Sequence, residues 1–182
     1  VSSQKNEKCV ILGHSGSGKD FLFRKLVEKG LKPCIKWTTR PSRKYEKQGI
    51  NYNFVDVNTF VDSINQNKFL SYQSFEVTPE GREPETWYYG ITIEDFENSQ
   101  VMIMTPGEFK NIDPEQRKGC FVVYLDISRE VREQRLFHRE DKNDSIKRRL
   151  DADVLDFKDF SDYDLKITDP EFWADDVYDL MD

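Results

Sequence analysis

Long apolar runs are missing from this chain: only 37% of its 182 residues are apolar, and no stretch approaches the roughly 20 residues that a membrane-spanning helix needs. Positive charge is short as well. The 27 Lys and Arg against 34 Asp and Glu leave a net charge of −7, which argues against nucleic acid or anionic lipid as a partner. Basic residues that cluster against that background therefore carry information. Cysteine is scarce and odd in number; Cys9, Cys34 and Cys120 show no CxxC pairing, so buried free thiols are expected rather than a disulfide or metal framework. The first residues, Val1-Ser2-Ser3-Gln4-Lys5-Asn6-Glu7-Lys8, contain no apolar core of a secretory signal, and a cytoplasmic protein is expected. Aromatic residues are not scarce. At 13% they suffice for one substantial core, which excludes disorder despite a charged content of 34%.

The stretch around which the chain is organised is Gly13-His14-Ser15-Gly16-Ser17-Gly18-Lys19-Asp20. An apolar run, Cys9-Val10-Ile11-Leu12, precedes it, and residues with helical apolar spacing follow, Phe21-Leu22-Phe23-Arg24-Lys25-Leu26-Val27. Strand, glycine-rich turn and helix form the context of a phosphate-binding loop. Glycines let successive N–H groups converge on phosphate oxygens, and the helix N-terminus adds partial positive charge. Lys19 supplies a mobile point charge for the β- and γ-phosphates. One position departs from the pattern, because Asp20 stands where Ser or Thr is usual.

Further along, 34–39 reads as a short strand, 40–49 as a basic turn-rich stretch and 52–55 as a strand. A helix over 57–66 (Phe60, Val61 and Ile64 on one face) and a strand over 69–75 follow. Residues 76–85 carry two prolines and a glycine and read as an exposed loop, before order resumes at 87–91. The runs 101–104 and 121–125 have the unbroken apolar character of strands buried on both faces of a parallel sheet. Ser128 can cap a helix through about Arg139. Asp144 or Ser145 can start the next, with Ile146, Leu150, Val154 and Leu155 as its apolar stripe. A last strand over 163–167 leads to Pro170 in the first turn of a closing helix. Strands alternating with helices after a phosphate loop imply an α/β, three-layer fold, while the short strands and turns of 34–96 imply an inserted lobe built on a small sheet.

These residues resemble the guanylate kinase family of nucleoside monophosphate kinases. The resemblance rests on the phosphate loop, on Thr38-Thr39-Arg40-Pro41-Ser42-Arg43, on Gly49-Ile50-Asn51-Tyr52-Asn53-Phe54-Val55 and on Tyr88-Tyr89-Gly90. It extends to Arg135-Leu136 and Ser145-Ile146-Lys147-Arg148-Arg149-Leu150. It implies a phosphate-loop kinase fold with a parallel core sheet (1–33, 97–134 and 150–182), a small mixed β lobe for the acceptor nucleotide (34–96) and a helical LID (135–149). It also implies ATP as phosphoryl donor, held by Gly13, Ser15, Gly16, Ser17, Gly18, Lys19 and Asp20, with Mg²⁺ as cofactor and a monomer or weak dimer that binds small nucleotides. Arg40, Arg43, Tyr52 and Tyr89 would clamp the acceptor phosphate, since guanidinium forks bind phosphate oxygens two at a time. Lys19 with the LID arginines Arg135 and Arg149 would meet the charge that spreads over the transferring group. A basic helix surface made with Arg132, Arg139, Lys142, Lys147 and Arg148 is the competing reading of that cluster.

Three departures qualify the resemblance. Met102 and Met104 fall where the family carries strand-end aspartates that serve magnesium. Asp20 either compensates as a metal ligand or merely favours the start of a helix. Lys36, Ser71 and Ile91 occupy positions at which the family reads guanine, and the loop 76–85 either returns a carboxylate (Glu76, Glu83 or Glu85) or stays on the surface. Lys36 only donates, which suits a carbonyl of guanine or of a pyrimidine. The acceptor is therefore GMP or dGMP, or a deoxypyrimidine monophosphate, modified ones included; a strict GMP/dGMP kinase is the alternative. An inactive phosphopeptide-binding scaffold is the reading from another class. Asp126 suits a capping or turn role better than a metal site, Asp169 falls near where the family holds adenine, Phe75 suits the core of the lobe, and Trp87 stays open between core and base stacking.

Overall fold

Val10, Ile11 and Leu12 are fully shielded from solvent because their strand runs through the middle of a parallel sheet. In the computed structural model, which describes residues 7–138 and 146–181, β1 (Lys8–Gly13) lies between β6 (Val101–Ile103) and β7 (Cys120–Leu125), and β8 (Leu165–Ile167) pairs with β7. All these pairings are parallel, with Val10 opposite Met102 on one side and Val122 on the other. Helices α1 (Lys19–Glu28) and α8 (Ala174–Leu180) cover one face, where Leu22, Leu26 and Val177 pack against Cys9, Ile11 and Val123. Full burial of a leucine such as Leu22 is worth about 1.5–3 kcal/mol. On the opposite face Tyr124 stacks on Phe157, the last residue of α7 (Ile146–Phe157), with ring centroids 5.3 Å apart. Helices on both faces of a parallel sheet make the expected three-layer α/β fold.

The end of α1 shows why the chain turns where it does. Gly30 adopts φ +104°, its N–H donates to the Val27 carbonyl at 2.9 Å, and the Leu31 N–H donates to that of Leu26 at 3.2 Å. This pair of bonds satisfies carbonyls that the helix itself leaves open, and Leu31 packs against the core just beyond it.

The chain divides into two compact units, one formed by the described residues up to Pro33 and from Gln100 onward, the other by Cys34–Ser99. The second unit holds a four-stranded mixed sheet in the order β3 (Asn53–Phe54), β2 (Trp37–Thr38), β5 (Glu85–Thr92), β4 (Phe69–Val77). β2 runs parallel to β3 and antiparallel to β5, and β4 and β5 form a long hairpin. α2 (Val57–Asn65) starts at Asp56, whose carboxylate accepts the Thr59 N–H at 2.7 Å, and it sends Phe60 into a stack with Phe69 at 4.4 Å. Gly90 is required there, because a Cβ would come within 2.7 Å of the Phe69 ring. α3 (Ile93–Glu97) is capped by Thr92, and its Asp95 also accepts the Trp37 indole N–H at 3.0 Å.

Several local expectations need correction. Residues 76–85 are not one loop: pairing continues to Val77 opposite Glu85, so only 78–84 remain outside the strands. Of the expected stripe Leu150 is buried, but Val154 and Leu155 are exposed, and α7 buries Phe157 in their place. Pro170 lies in a turn ahead of α8 rather than inside it. The strand expected over 34–39 shrinks to Trp37–Thr38, and Phe75 is partly exposed, while Trp87 is buried with its indole N–H on Glu85. Two short helices, α4 (Pro106–Lys110) and α5 (Pro114–Arg117), escaped sequence reading, although Thr105 and Glu108 form a capping box at the first. α6 (Arg129–Phe137) begins after Ser128, which makes no side-chain cap. The helix end at Arg139, Lys142 beside it and the helix start at Asp144 or Ser145 lie outside the described residues. The three thiols are buried and form no disulfide, and among the described residues no helix is long and apolar enough to cross a membrane.

Candidate active site

The phosphate loop takes its shape from glycines with left-handed backbone. Gly16 and Gly18 have φ +78° and +100°, and a Cβ on Gly16 would lie 2.9 Å from the Arg132 carbonyl oxygen. Any side chain there would strain the loop and strike α6. The Lys19 ammonium folds back across the loop, donating to the carbonyls of Gly13 at 2.7 Å and His14 at 3.0 Å. The Ser15 N–H points at a negative group supplied by the protein itself: it donates to the Asp153 carboxylate of α7 at 2.7 Å. Ser17 is fully buried, and its hydroxyl has no hydrogen-bond partner within the structure. His14 packs on Phe157 at 4.4 Å; burial, and then the Arg132 charge, hold its imidazole below its ordinary pKa, so it is neutral at pH 7.

Two arginines flank the loop. Arg135 on α6 donates to the Gly16 carbonyl at 3.2 Å and to the Pro170 carbonyl at 3.1 Å, tying the loop to the turn before α8. Arg132 is buried rather than part of a basic surface; its Nε donates to the Ile127 carbonyl at 2.9 Å and its Nη1 lies 3.9 Å from the Asp153 carboxylate. Arg149 sits on α7 one helical turn before Asp153, hence on the same side of that helix. Asp169 accepts the Glu171 N–H at 2.9 Å and shapes the turn that carries Pro170. The Asp126 carboxylate takes the Tyr124 hydroxyl at 3.4 Å and faces Lys166 at 3.7 Å.

For magnesium the donor set is narrow. Met102 and Met104 are buried and offer no hard oxygen, and among the described residues no group of three or more His, Cys, Asp or Glu could hold a metal. Asp20, at the second position of α1, is exposed to solvent beside Lys19. A single carboxylate fits Mg²⁺, which keeps several waters and takes its remaining ligands from substrate phosphates.

The second unit gathers several of the residues expected to hold the acceptor around a buried arginine. Arg40, only 3% exposed, forms a two-pronged pair with Glu46 at 2.9 and 2.7 Å, and its guanidinium lies 5.4 Å from the centre of the Tyr52 ring. Burial is the largest single influence and opposes the Arg40 charge, but the Glu46 hydrogen bond and charge and the nearby Tyr89 and Tyr52 together outweigh it, so the pKa rises. Burial would raise Glu46, but Arg40 and the Arg43 N–H at 2.7 Å hold it below its ordinary value. Tyr52 meets Tyr89 edge to face at 6.1 Å. Two guanidiniums thus face one carboxylate, and two phenols lie beside the Arg40 guanidinium. Sequence reading missed Glu46, although its place three residues after Arg43 in a turn is a local signal.

Lys36, Ser71 and Ile91 share the neighbourhood of Tyr89. Ser71 and Ile91 are cross-strand partners and both buried, Thr38 pairs with Tyr89, and Lys36 lies two residues before Thr38. Gln73 pairs directly with Tyr89 and, by strand alternation, shares a face with Ser71 and Phe75. It too was missed. None of the three loop carboxylates joins that group: Glu76 alternates to the other face, Glu83 lies in the turn of the hairpin, and Glu85 sits opposite Val77, about 20 Å along the strand from Ser71.

A parallel three-layer sheet whose first strand runs into a lysine-bearing phosphate loop defines a phosphate-loop kinase. The family model for guanylate kinase matches residues 5–179 of this sequence. The chain belongs to the guanylate kinase family and is by class a nucleoside monophosphate kinase. The guanylate kinase of Rickettsia felis is 30% identical over 179 residues, covering 92% of this chain and 88% of the relative. That of Alkalilimnicola ehrlichii is 29% identical over 167 residues, covering 90% and 80%. The crystal structure of guanylate kinase from Anaplasma phagocytophilum superposes with a TM-score of 0.65 at 19% identity, over 98% of this chain and 87% of that one, a likeness of fold.

Proposed function

We propose that the chain transfers the terminal phosphoryl group of ATP to a nucleoside or deoxynucleoside monophosphate whose base presents a carbonyl next to an N–H. The observation that carries the reading is the loop itself, whose Ser15 N–H already holds an anionic oxygen at 2.7 Å with Lys19 folded alongside. Lys19, Arg135 and Arg149 supply positive charge to the transferring group, which needs electrostatic rather than covalent help. Asp20 would hold Mg²⁺, which when bound adds charge neutralisation at the phosphates. Arg40, Arg43, Tyr52 and Tyr89 hold the acceptor phosphate, which replaces Glu46 as the anion that Arg40 faces.

For the base, Lys36 donates to a carbonyl and the Gln73 carboxamide offers one donor and one acceptor, while Ile91 offers neither. That set fits the carbonyl and N–H edge of guanine, which the names of the relatives favour, and equally of thymine or uracil, whereas adenine has no carbonyl to offer Lys36. ADP release from ATP and Mg²⁺, measured against a panel of ribo- and deoxyribonucleoside monophosphates with modified pyrimidines included, tests the proposal. GMP, dGMP, dTMP or dUMP should exceed AMP by about 100-fold or more in kcat/KM, the order for a mismatched polar pocket. AMP as best substrate, or no turnover with any acceptor, would sink it.

A further inference from the structure

We propose that Asp153 sets the affinity of the donor site by occupying the phosphate loop, and that an incoming terminal phosphate must displace it. One carboxylate oxygen, Oδ2, accepts the Ser15 N–H at 2.7 Å and lies 3.9 Å from Arg132 Nη1. Ser15 and Asp153 are separated by 138 positions in the chain, so the contact is tertiary and reflects no local turn. It places a negative oxygen among the partners that a phosphate oxygen seeks: a loop N–H and a buried guanidinium.

Two further observations favour displacement over a permanent tether. Arg132 is buried, and its Nη1 has no hydrogen-bond partner among the described residues, so Asp153 meets that nitrogen at ion-pair distance without a hydrogen bond. A phosphate could meet the same charge and add the hydrogen bonds that the carboxylate does not make. Asp153 also stands one turn after Arg149 on α7. Exchange of a carboxylate for a phosphate at Ser15 converts that side of α7 from held by its own anion to attracted through Arg149, because phosphate repels Asp153 and draws the arginine. The helix then responds to the donor by a swap of which of its two charged residues faces the loop. Asp153 is thus a positioning residue, acting on the donor through competition.

The inference rests on the loop being the donor seat, and the test separates the two. Binding of inorganic tripolyphosphate and of ATP is measured by calorimetry on the full chain, comparing wild type with Asp153→Asn, Asp153→Ala and the control Asp151→Asn. Asp151 carries the same charge on the same helix but pairs with Lys147. Removal of the competing carboxylate should tighten tripolyphosphate about tenfold, the scale of one charge-assisted hydrogen bond, and leave the Asp151 variant close to wild type. In kinetics the KM for ATP should fall without a rise in kcat. A purely structural tether predicts the reverse, a lower melting temperature with unchanged or weaker binding, and that result overturns the proposal. Should both Asp153 variants fail to fold, the wild type still decides: the Asp153 side-chain carboxyl carbon should shift in NMR when tripolyphosphate saturates the loop amides. A carboxyl resonance that stays put while the loop amides move refutes displacement. Absence of tripolyphosphate binding in wild type and variants alike removes the donor reading, and this inference with it.

Discussion

Asp20 and Asp153 place two carboxylates at one phosphate loop, with different expected consequences. Asp20 is exposed at the start of α1, where a carboxylate favours the helix N-terminus and can reach an ion carried by the donor. If it takes over the metal role that Met102 and Met104 cannot fill, Asp20→Ser restores the commoner loop motif yet lowers kcat/KM by about 10–100-fold, the scale of one charge-assisted contact. Steady-state kinetics across a Mg²⁺ titration checks this; full activity with unchanged Mg²⁺ dependence would show that Asp20 only starts the helix. The loop was legible because its glycines, lysine and flanking elements lie within a single stretch of sequence. Asp153 was not, because only the packing of α7 beside β7 brings it to Ser15, and no local pattern marks one aspartate among several on a helix. Glu46 and Gln73 lie between: a turn and a strand register identify them once the sheet is known.

Elements followed from sequence where burial is two-sided and failed where it is partial. The unbroken apolar runs of β1 and β7 could only be central parallel strands. On α7 the choice among Val154, Leu155 and Phe157 depends on which face meets Tyr124, and periodicity alone selected the wrong residues. The hairpin of β4 and β5 ran longer than expected because cross-strand pairs such as Phe75 with Trp87 outweigh the turn signals on either side. Two glycines make the role of backbone at this scale testable. Gly30→Ala meets no neighbouring atom but must hold φ +104°, so it should cost about 1–2 kcal/mol, partly recovered by Asn. Gly90→Ala has no such strain and instead drives a methyl into Phe69 and Phe60. It should cost about 1–3 kcal/mol and be eased by trimming Phe69 to Leu, while Gly30→Ala should ignore that second change. Urea unfolding of these variants separates the mechanisms.

For the molecule as a whole, two partly buried groups, His14 in one unit and Glu46 in the other, make stability fall on acidification. His14 titrates below its ordinary 6.5 in the folded protein because burial disfavours the imidazolium. Between that lowered value and 6.5 the unfolded chain binds more protons, so stability drops as the pH falls through this range. Glu46 titrates below its ordinary 4.5 because its bonds to Arg40 and Arg43 outweigh burial. Its contribution is complete above that value and is lost as the pH falls through the folded pKa. Asp156 acts oppositely, since burial raises its carboxyl above 3.8, so the windows must be assigned by difference. Melting temperatures from pH 8 to pH 3 should therefore show a gap between wild type and Glu46→Gln that is widest near neutrality and closes below about pH 4.5, the ordinary carboxylate range. His14→Phe, which keeps a ring against Phe157, should leave that gap intact and flatten only the first decline, below pH 6.5. A Glu46→Gln gap that stays constant with pH would mean that Arg40 draws no net stability from the carboxylate charge. The turn around Arg40 would then be held by shape alone, and under the proposed function a phosphate arriving there would gain the whole of the Arg40 interaction rather than the difference between two anions.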